Sequence, residues 1–238
     1  MEKTAQLYEG KAKKVYATND ENLVIVSYKD DATALDGLKK GTISGKGAIN
    51  NRMSNYLMQL LEKNGVPTHF VEELNDRETV VKKVQIVPLE VIIRNISAGS
   101  FAKRYGVEEG IVFEEPTIEF SYKNDDLHDP LINEYHALAL KLATREEIDA
   151  IKSMAFRINE VMKAYFLSLG VKLVDFKLEF GRTPDGTIVL ADEISPDTCR
   201  FWDAETNEKL DKDRFRRDMG GVEDAYNEMM RRVFGRED

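Results

Sequence analysis

The sequence predicts an α+β protein of two lobes, in which antiparallel sheets are flanked by helices. Three observations predict it. Short apolar runs at strand spacing crowd the first 87 residues, one long amphipathic stripe runs from Ile148 to Leu169, and two alternating runs flank Pro184-Asp185-Gly186 as a hairpin. At 238 residues the chain holds one domain or two small lobes. The change of character divides it into a β-rich N-terminal lobe, 1–87, and an α+β C-terminal lobe, 88–238.

The run Leu7 to Tyr16 reads as strand, glycine turn and strand, and Leu23 to Tyr28 adds a third strand to a meander. Lys29 to Gly47, with glycines at 37, 41, 45 and 47, reads as a long irregular loop. Ile49, Met53, Tyr56, Leu57, Leu60 and Leu61 recur at helical spacing, so a helix is expected over Ala48–Lys63, stopped by Gly65 and Pro67. Strands are expected again at His69–Leu74, Thr79–Ile86 and Pro88–Arg94. Ser100 then stands where it would cap a short helix ending at Gly106.

In the second half, Thr144 and Glu147 make a T-x-x-E capping box ahead of the stripe Ile148, Ile151, Ala155, Ile158, Met162, Tyr165 and Leu169, and Gly170 closes that helix. The hairpin strands are Val171–Phe180 and Thr187–Glu193. Asp213–Phe234 is expected to be one or two helices broken at Gly220-Gly221.

Composition excludes whole classes. Hydrophobic residues at 42% and charged residues at 32% are those of a globular chain and not of a disordered one. No stretch approaches the ~18 apolar residues of a spanning helix, and Met1–Lys14 lacks a signal-like apolar region, so a cytoplasmic protein is expected. A net charge of −9 opposes non-specific binding to nucleic acid or anionic membrane. One cysteine, Cys199, permits no internal disulfide, and with three histidines the usual zinc ligands are scarce, so a metal would be held by oxygen. Cys199 has no histidine near it in sequence to activate it as a nucleophile.

Two patterns carry chemistry. In Val174-Asp175-Phe176-Lys177-Leu178-Glu179-Phe180, alternation puts the apolar residues on one face and Asp175, Lys177 and Glu179 on the other. With Asp185-Gly186 as a two-residue turn, Glu179 would face Asp192. Like charges paired across strands at about 4.5–5.5 Å are unfavourable, so a positive group should lie between them. Either Lys177 or a divalent cation of the Mg²⁺ type could fill that place. In Glu9-Gly10-Lys11-Ala12-Lys13 the two lysines share one face after a glycine, which suits phosphates or, alternatively, a lysine-guarded hairpin edge. Neither a Walker loop nor G-x-G-x-x-G is present. Arg94 with Ser100 could converge on one anion, and Asp197 and Arg200 follow the acidic hairpin closely.

Taken together, Gly10-Lys11-Ala12-Lys13, the run Val87 to Ser100, Val174 to Gly181 and Ala191 to Asp197 closely resemble the SAICAR synthetase family over nearly the whole chain. The resemblance implies a two-lobed ATP-grasp-like, kinase-like α+β fold. It also implies a ligase that uses ATP and Mg²⁺ to join carboxyaminoimidazole ribotide (CAIR) to L-aspartate through an acyl phosphate; such enzymes are usually oligomers, and a homodimer is expected. By position it implies that Lys11, Lys13, Lys82, Val84 and Lys123 contact ATP, with Glu179 and Asp192 on Mg²⁺. Arg94, Ser100, Asp197 and Arg200 would contact the ribotide, with Asp36, Lys212 and Arg216 beside them. Lys11, Asp175 and Lys177 are the catalytic candidates; Asp175 and Lys177 would either orient the amine or phosphates or tune the metal site. The 29–47 loop would shield the acyl phosphate from water. A different ATP-grasp-like ligase or small-molecule kinase, and a nucleotide-binding module without catalysis, are the rival readings.

Overall fold

The computed structural model describes residues 1–34 and 37–235. In chain order the strands are β1 (Lys3–Glu9), β2 (Lys13–Thr18), β3 (Leu23–Tyr28), β4 (Asp31–Ala34), β5 (Lys39–Thr42), β6 (Phe70–Asn75), β7 (Glu78–Lys82), β8 (Gln85–Ile86), β9 (Leu89–Ile96), β10 (Val112–Tyr122), β11 (Leu131–Ile132), β12 (Val171–Arg182), β13 (Ile188–Ala191) and β14 (Cys199–Asp203). The helices are α1 (Lys46–Lys63), α2 (Gly99–Tyr105), α3 (Glu134–Ala139), α4 (Arg145–Ser168), α5 (Asp213–Arg216) and α6 (Val222–Phe234). This is an α+β architecture of antiparallel sheets with helices packed on them.

The first sheet has the order β1-β2-β3-β7-β6; the second runs β11-β10-β9-β12-β13, with β8 and β14 also on β12. The expected meander is therefore present. Strand β12 is the spine of the second sheet, touching β9, β14, β13 and β8. Helix α4 opens with the capping box: Thr144 Oγ1 accepts from Glu147 N at 3.2 Å and Glu147 Oε2 accepts from Thr144 N at 2.9 Å. Its face Ile148, Ile151, Ala155, Ile158, Met162 and Phe166 is fully covered, each large side chain contributing at most about 1.5–3 kcal/mol. Phe166 takes the place expected of Tyr165, which is only partly buried. This core also takes in Met53, Leu57 and Leu61 of α1, a helix that lies against β3, β6 and β7 of the first sheet and against α6, while Val24, Val26, Tyr28 and Val81 form a separate small cluster.

Four expectations are corrected. The 29–47 segment is not wholly irregular, because β4 and β5 form a hairpin within it. Ser100 is not a cap: the cap position is Ala98, and Ser100 lies in the first turn of α2. Val174 leaves the face of Phe176 and packs with Ile96 and Trp202, because the pairing of β12 with β14 shifts between Leu173 and Asp175. The hairpin register also differs by one. Thr183 pairs with Thr187 around a three-residue loop in which Gly186 has φ 84°, and Glu179 therefore faces Ala191 instead of Asp192. Asp36 lies outside the described residues.

Candidate active site

Between the first sheet and the edge of β12 lies a cavity of about 720 Å³. Its apolar end is walled by Val15, Val24, Val26, Val81, Val84 and Ile86; its polar end gathers Lys11, Lys13, Lys123, Lys177, Glu179 and Asp192. Lys82, Asp197 and Lys212 also line it. Every described residue expected to contact nucleotide or metal is thus brought together.

The two carboxylates converge despite the changed register. β13 ends at Ala191, and Asp192 adopts a left-handed backbone with φ 58°, which turns its side chain back toward β12. Lys177 Nζ donates to Glu179 Oε1 at 2.7 Å and to Glu90 Oε1 at 2.9 Å, and stands 3.9 Å from Asp192 Oδ2. Lys123 Nζ donates to the same Glu179 oxygen at 3.1 Å. Lys13 pairs with Asp192 and, at 3.1 Å, with Glu193. Lysine ammonium groups thus stand between and beside the two acids. Burial opposes the charge of Lys177, yet Glu179, Asp192 and Glu90 together raise its pKa well above the ordinary range. Burial likewise opposes ionised Asp192, but Lys13 and Lys177 hold its pKa below the usual carboxylate range.

A second set of candidates forms one buried chain of ion pairs beside the cavity. Cross-strand register places Asp175 between Arg94 on β9 and Arg200 on β14. Arg94, 2% exposed, donates from Nη1 to Asp175 Oδ2 (2.6 Å), from Nε to Glu119 Oε1 (2.8 Å) and from Nη2 to Ser100 Oγ (3.0 Å). Arg200 donates from Nη1 to both Asp175 oxygens (3.0 and 3.1 Å) and from Nε to Asp213 Oδ2 (2.9 Å). Arg216 continues the chain, donating to Asp213 Oδ1 (2.7 Å) and to the Asp197 carbonyl (3.2 Å). Asp197 accepts from Lys46 Nζ at 2.8 Å, Lys212 Nζ at 3.5 Å and Tyr226 Oη at 2.5 Å. Burial opposes its ionisation, and the two lysines outweigh that and lower its pKa. Asp175 is outside the cavity lining, as are the expected ribotide contacts Arg94, Ser100, Arg200 and Arg216, and both its oxygens are occupied by the two arginines.

Glu90, Glu193, Lys46, Glu119, Asp213, Tyr226 and His69 belong to these networks and were not among the expected site residues. Lys46, with no exposed surface, had one sequence cue, a lysine between glycines at a helix start. Cys199 is buried on β14, and burial pushes its thiol up, away from reactivity.

His69 lines the cavity, and burial followed by the charge of Lys13 lowers its pKa from 6.5 to about 4. The unfolded chain then binds the extra proton between those values, so stability is intact above pH 6.5 and is lost as pH falls toward 4. The expected loss is about 2 kcal/mol from pH 7 to pH 5. Urea unfolding at both pH values should show that loss in the wild type and a smaller one in His69→Gln; equal losses would remove His69 from the account.

The acidic pair offers a metal two carboxylates. Among the described residues no three His, Cys, Asp or Glu side chains form a ready-made metal cage. Two carboxylates with phosphate and water completing the shell is the arrangement Mg²⁺ takes in nucleotide sites, so the donor set fits that ion.

The comparisons with known proteins agree with this geometry. The family model described as SAICAR synthetase matches residues 6–233. The chain is 67% identical over 233 residues to a phosphoribosylaminoimidazole-succinocarboxamide synthase of Lachnoclostridium phytofermentans, covering 98% of this chain and 99% of the relative. It is similar to the crystal structure of such a synthase from Ehrlichia chaffeensis, with TM-score 0.95 and 45% identity over 98% of this chain and 100% of that one. A SAICAR synthetase in complex with ADP gives TM-score 0.94 and 49% identity over 97% of this chain and 98% of that one.

Proposed function

The chain belongs to the SAICAR synthetase family, and from that premise we propose how its residues divide the work of the family reaction. That reaction is the ATP-dependent joining of carboxyaminoimidazole ribotide to L-aspartate in purine biosynthesis, giving SAICAR, ADP and phosphate. The observation that carries the assignment is that one cavity has both a valine-lined end and a lysine-and-carboxylate end. It suits a base at one end and a polyphosphate at the other.

A carboxylate is a poor acyl donor because its leaving group would be oxide. A ribotide carboxylate oxygen attacks the γ-phosphorus of ATP and ADP leaves; the amine of aspartate then attacks the carbonyl carbon of the acyl phosphate, inorganic phosphate leaves, and the amine proton passes to that phosphate or to water. Such transfer rests on positioning and charge neutralisation. Lys11, on the exposed turn after Gly10 and 2.9 Å from Asp125, and Lys13 exchange their carboxylate partners for phosphate oxygens. Lys123 follows, and Lys177 stays to neutralise charge at the reacting end. Lys82, bonded to the Thr68 carbonyl at 3.0 Å, and Val84 bound the base. Glu179 and Asp192 hold Mg²⁺, which supplies Lewis-acid neutralisation of the phosphates when bound. Arg94, Ser100, Asp197, Arg200, Lys212 and Arg216, with Asp36 outside the described residues, form the ribotide side. Asp175 acts by fixing Arg94 and Arg200 instead of taking a proton.

The division near residue 87 belongs to the same proposal: the first sheet supplies the nucleotide lobe, and the second the metal and ribotide side. So do homodimeric assembly and a cytoplasmic location; among the described residues no helix is long and apolar enough to cross a membrane. A coupled assay tests the whole. Steady-state ADP release should require ribotide and L-aspartate together. Release that follows a hydroxyl acceptor instead would make the protein a kinase.

A further inference from the structure

Gly181 lies in β12, paired with Ile86 of β8 on one side and Val189 of β13 on the other. Its φ is not among the positive ones, so the backbone there is open to any residue and glycine is required for space. A Cβ at this position would stand 2.4 Å from Val84 Cγ2 and 2.7 Å from Val84 Cβ. A glycine of ordinary conformation inside a strand marks a close approach of another segment. Valine cannot yield by rotation, since it is stiff at χ1 and its Cβ moves only with the backbone. Any side chain at 181 must therefore displace the main chain around Val84.

That main chain is a wall of the cavity. Lys83, Val84 and Ile86 line it, together with Val15 and Val24. The β8 pairing ties the same segment to Gly181 and Arg182. We propose that Gly181 is a specificity-determining residue for the nucleotide: its missing side chain lets Val84 sit back against β12 and so sets the width of the slot that accepts a purine base. The inference rests on the reading that the base lies against Val84.

Calorimetric titration of ADP into the full-length protein tests it with four variants. Val84→Phe should weaken ADP at least about tenfold by filling the slot, and Gly181→Ala should weaken it by about tenfold through overpacking. The double variant Gly181→Ala/Val84→Gly, which removes both clashing atoms, should bind ADP within about threefold of Val84→Gly alone. If Val84→Phe weakens ADP but Gly181→Ala stays within about twofold of wild type, the inference falls while the site reading stands. If Val84→Phe has no effect, the base lies elsewhere and the inference falls with its premise. Should Gly181→Ala not fold, a folded double variant that binds like Val84→Gly supports the contact, and a double variant that is no better overturns it.

Discussion

Replacing Lys177 by methionine should lower kcat by about 10²–10³, with a smaller effect on the KM for ATP. The ammonium touches Glu179 and Glu90 and stands 3.9 Å from Asp192, so its removal leaves three carboxylates around the phosphate end with one fewer neutralising charge. Those acids raise the lysine's pKa far above neutrality, which makes it a fixed charge and not a proton carrier. The pH profile of kcat should consequently keep its shape in Lys177→Met while its height drops. Lys177→Arg keeps the charge but brings a planar fork in place of a compact ammonium, so only partial activity is expected. Single-turnover ADP formation in folded protein measures this. A kcat within about threefold of wild type, or a profile that loses one limb, would contradict the role assigned to the lysine.

The largest effect on stability is expected at Arg94. Breaking a buried pair by deleting one partner typically costs about 3–5 kcal/mol, and Arg94→Met leaves Asp175 with Arg200 alone and Glu119 with only Arg104, 3.4 Å away. Arg94 spends its guanidinium on Glu119, Asp175 and Ser100, a three-way fit that lysine cannot match. Arg94→Lys should accordingly lose less than Arg94→Met but still be clearly destabilised. Urea unfolding at pH 7 measures both. A loss below about 1 kcal/mol for Arg94→Met would mean that the network behaves as a surface pair and not as a buried one.

What the sequence revealed and what it concealed follow a physical divide. Helix α4 was legible because its cap and its stripe are local, all within residues 144–169. The lysine turn and the acidic strand were legible because alternation alone puts Asp175, Lys177 and Glu179 on one side. Register was not, because it hung on whether the turn used two residues or three, and the left-handed Gly186 inserted the third. The acids still met, through the left-handed backbone of Asp192, which no periodicity shows. The β4–β5 hairpin escaped because glycines and short side chains hide its alternation. Lys46 escaped for another reason: its buried ammonium donates a hydrogen bond to Asp197, 151 residues onward, and such a pairing belongs to the tertiary fold. Family resemblance supplied Lys82, Val84 and Lys123, whose place in one cavity no local pattern indicates.

Anomalous diffraction from crystals grown with Mn²⁺ and ADP puts the central claim to its sharpest trial. The account predicts one manganese peak touching the carboxylates of Glu179 and Asp192, with the diphosphate against Lys11 and Lys13 and the adenine along Val84. A diphosphate bound elsewhere, with both acids still closed on Lys177 and no metal beside them, would contradict it.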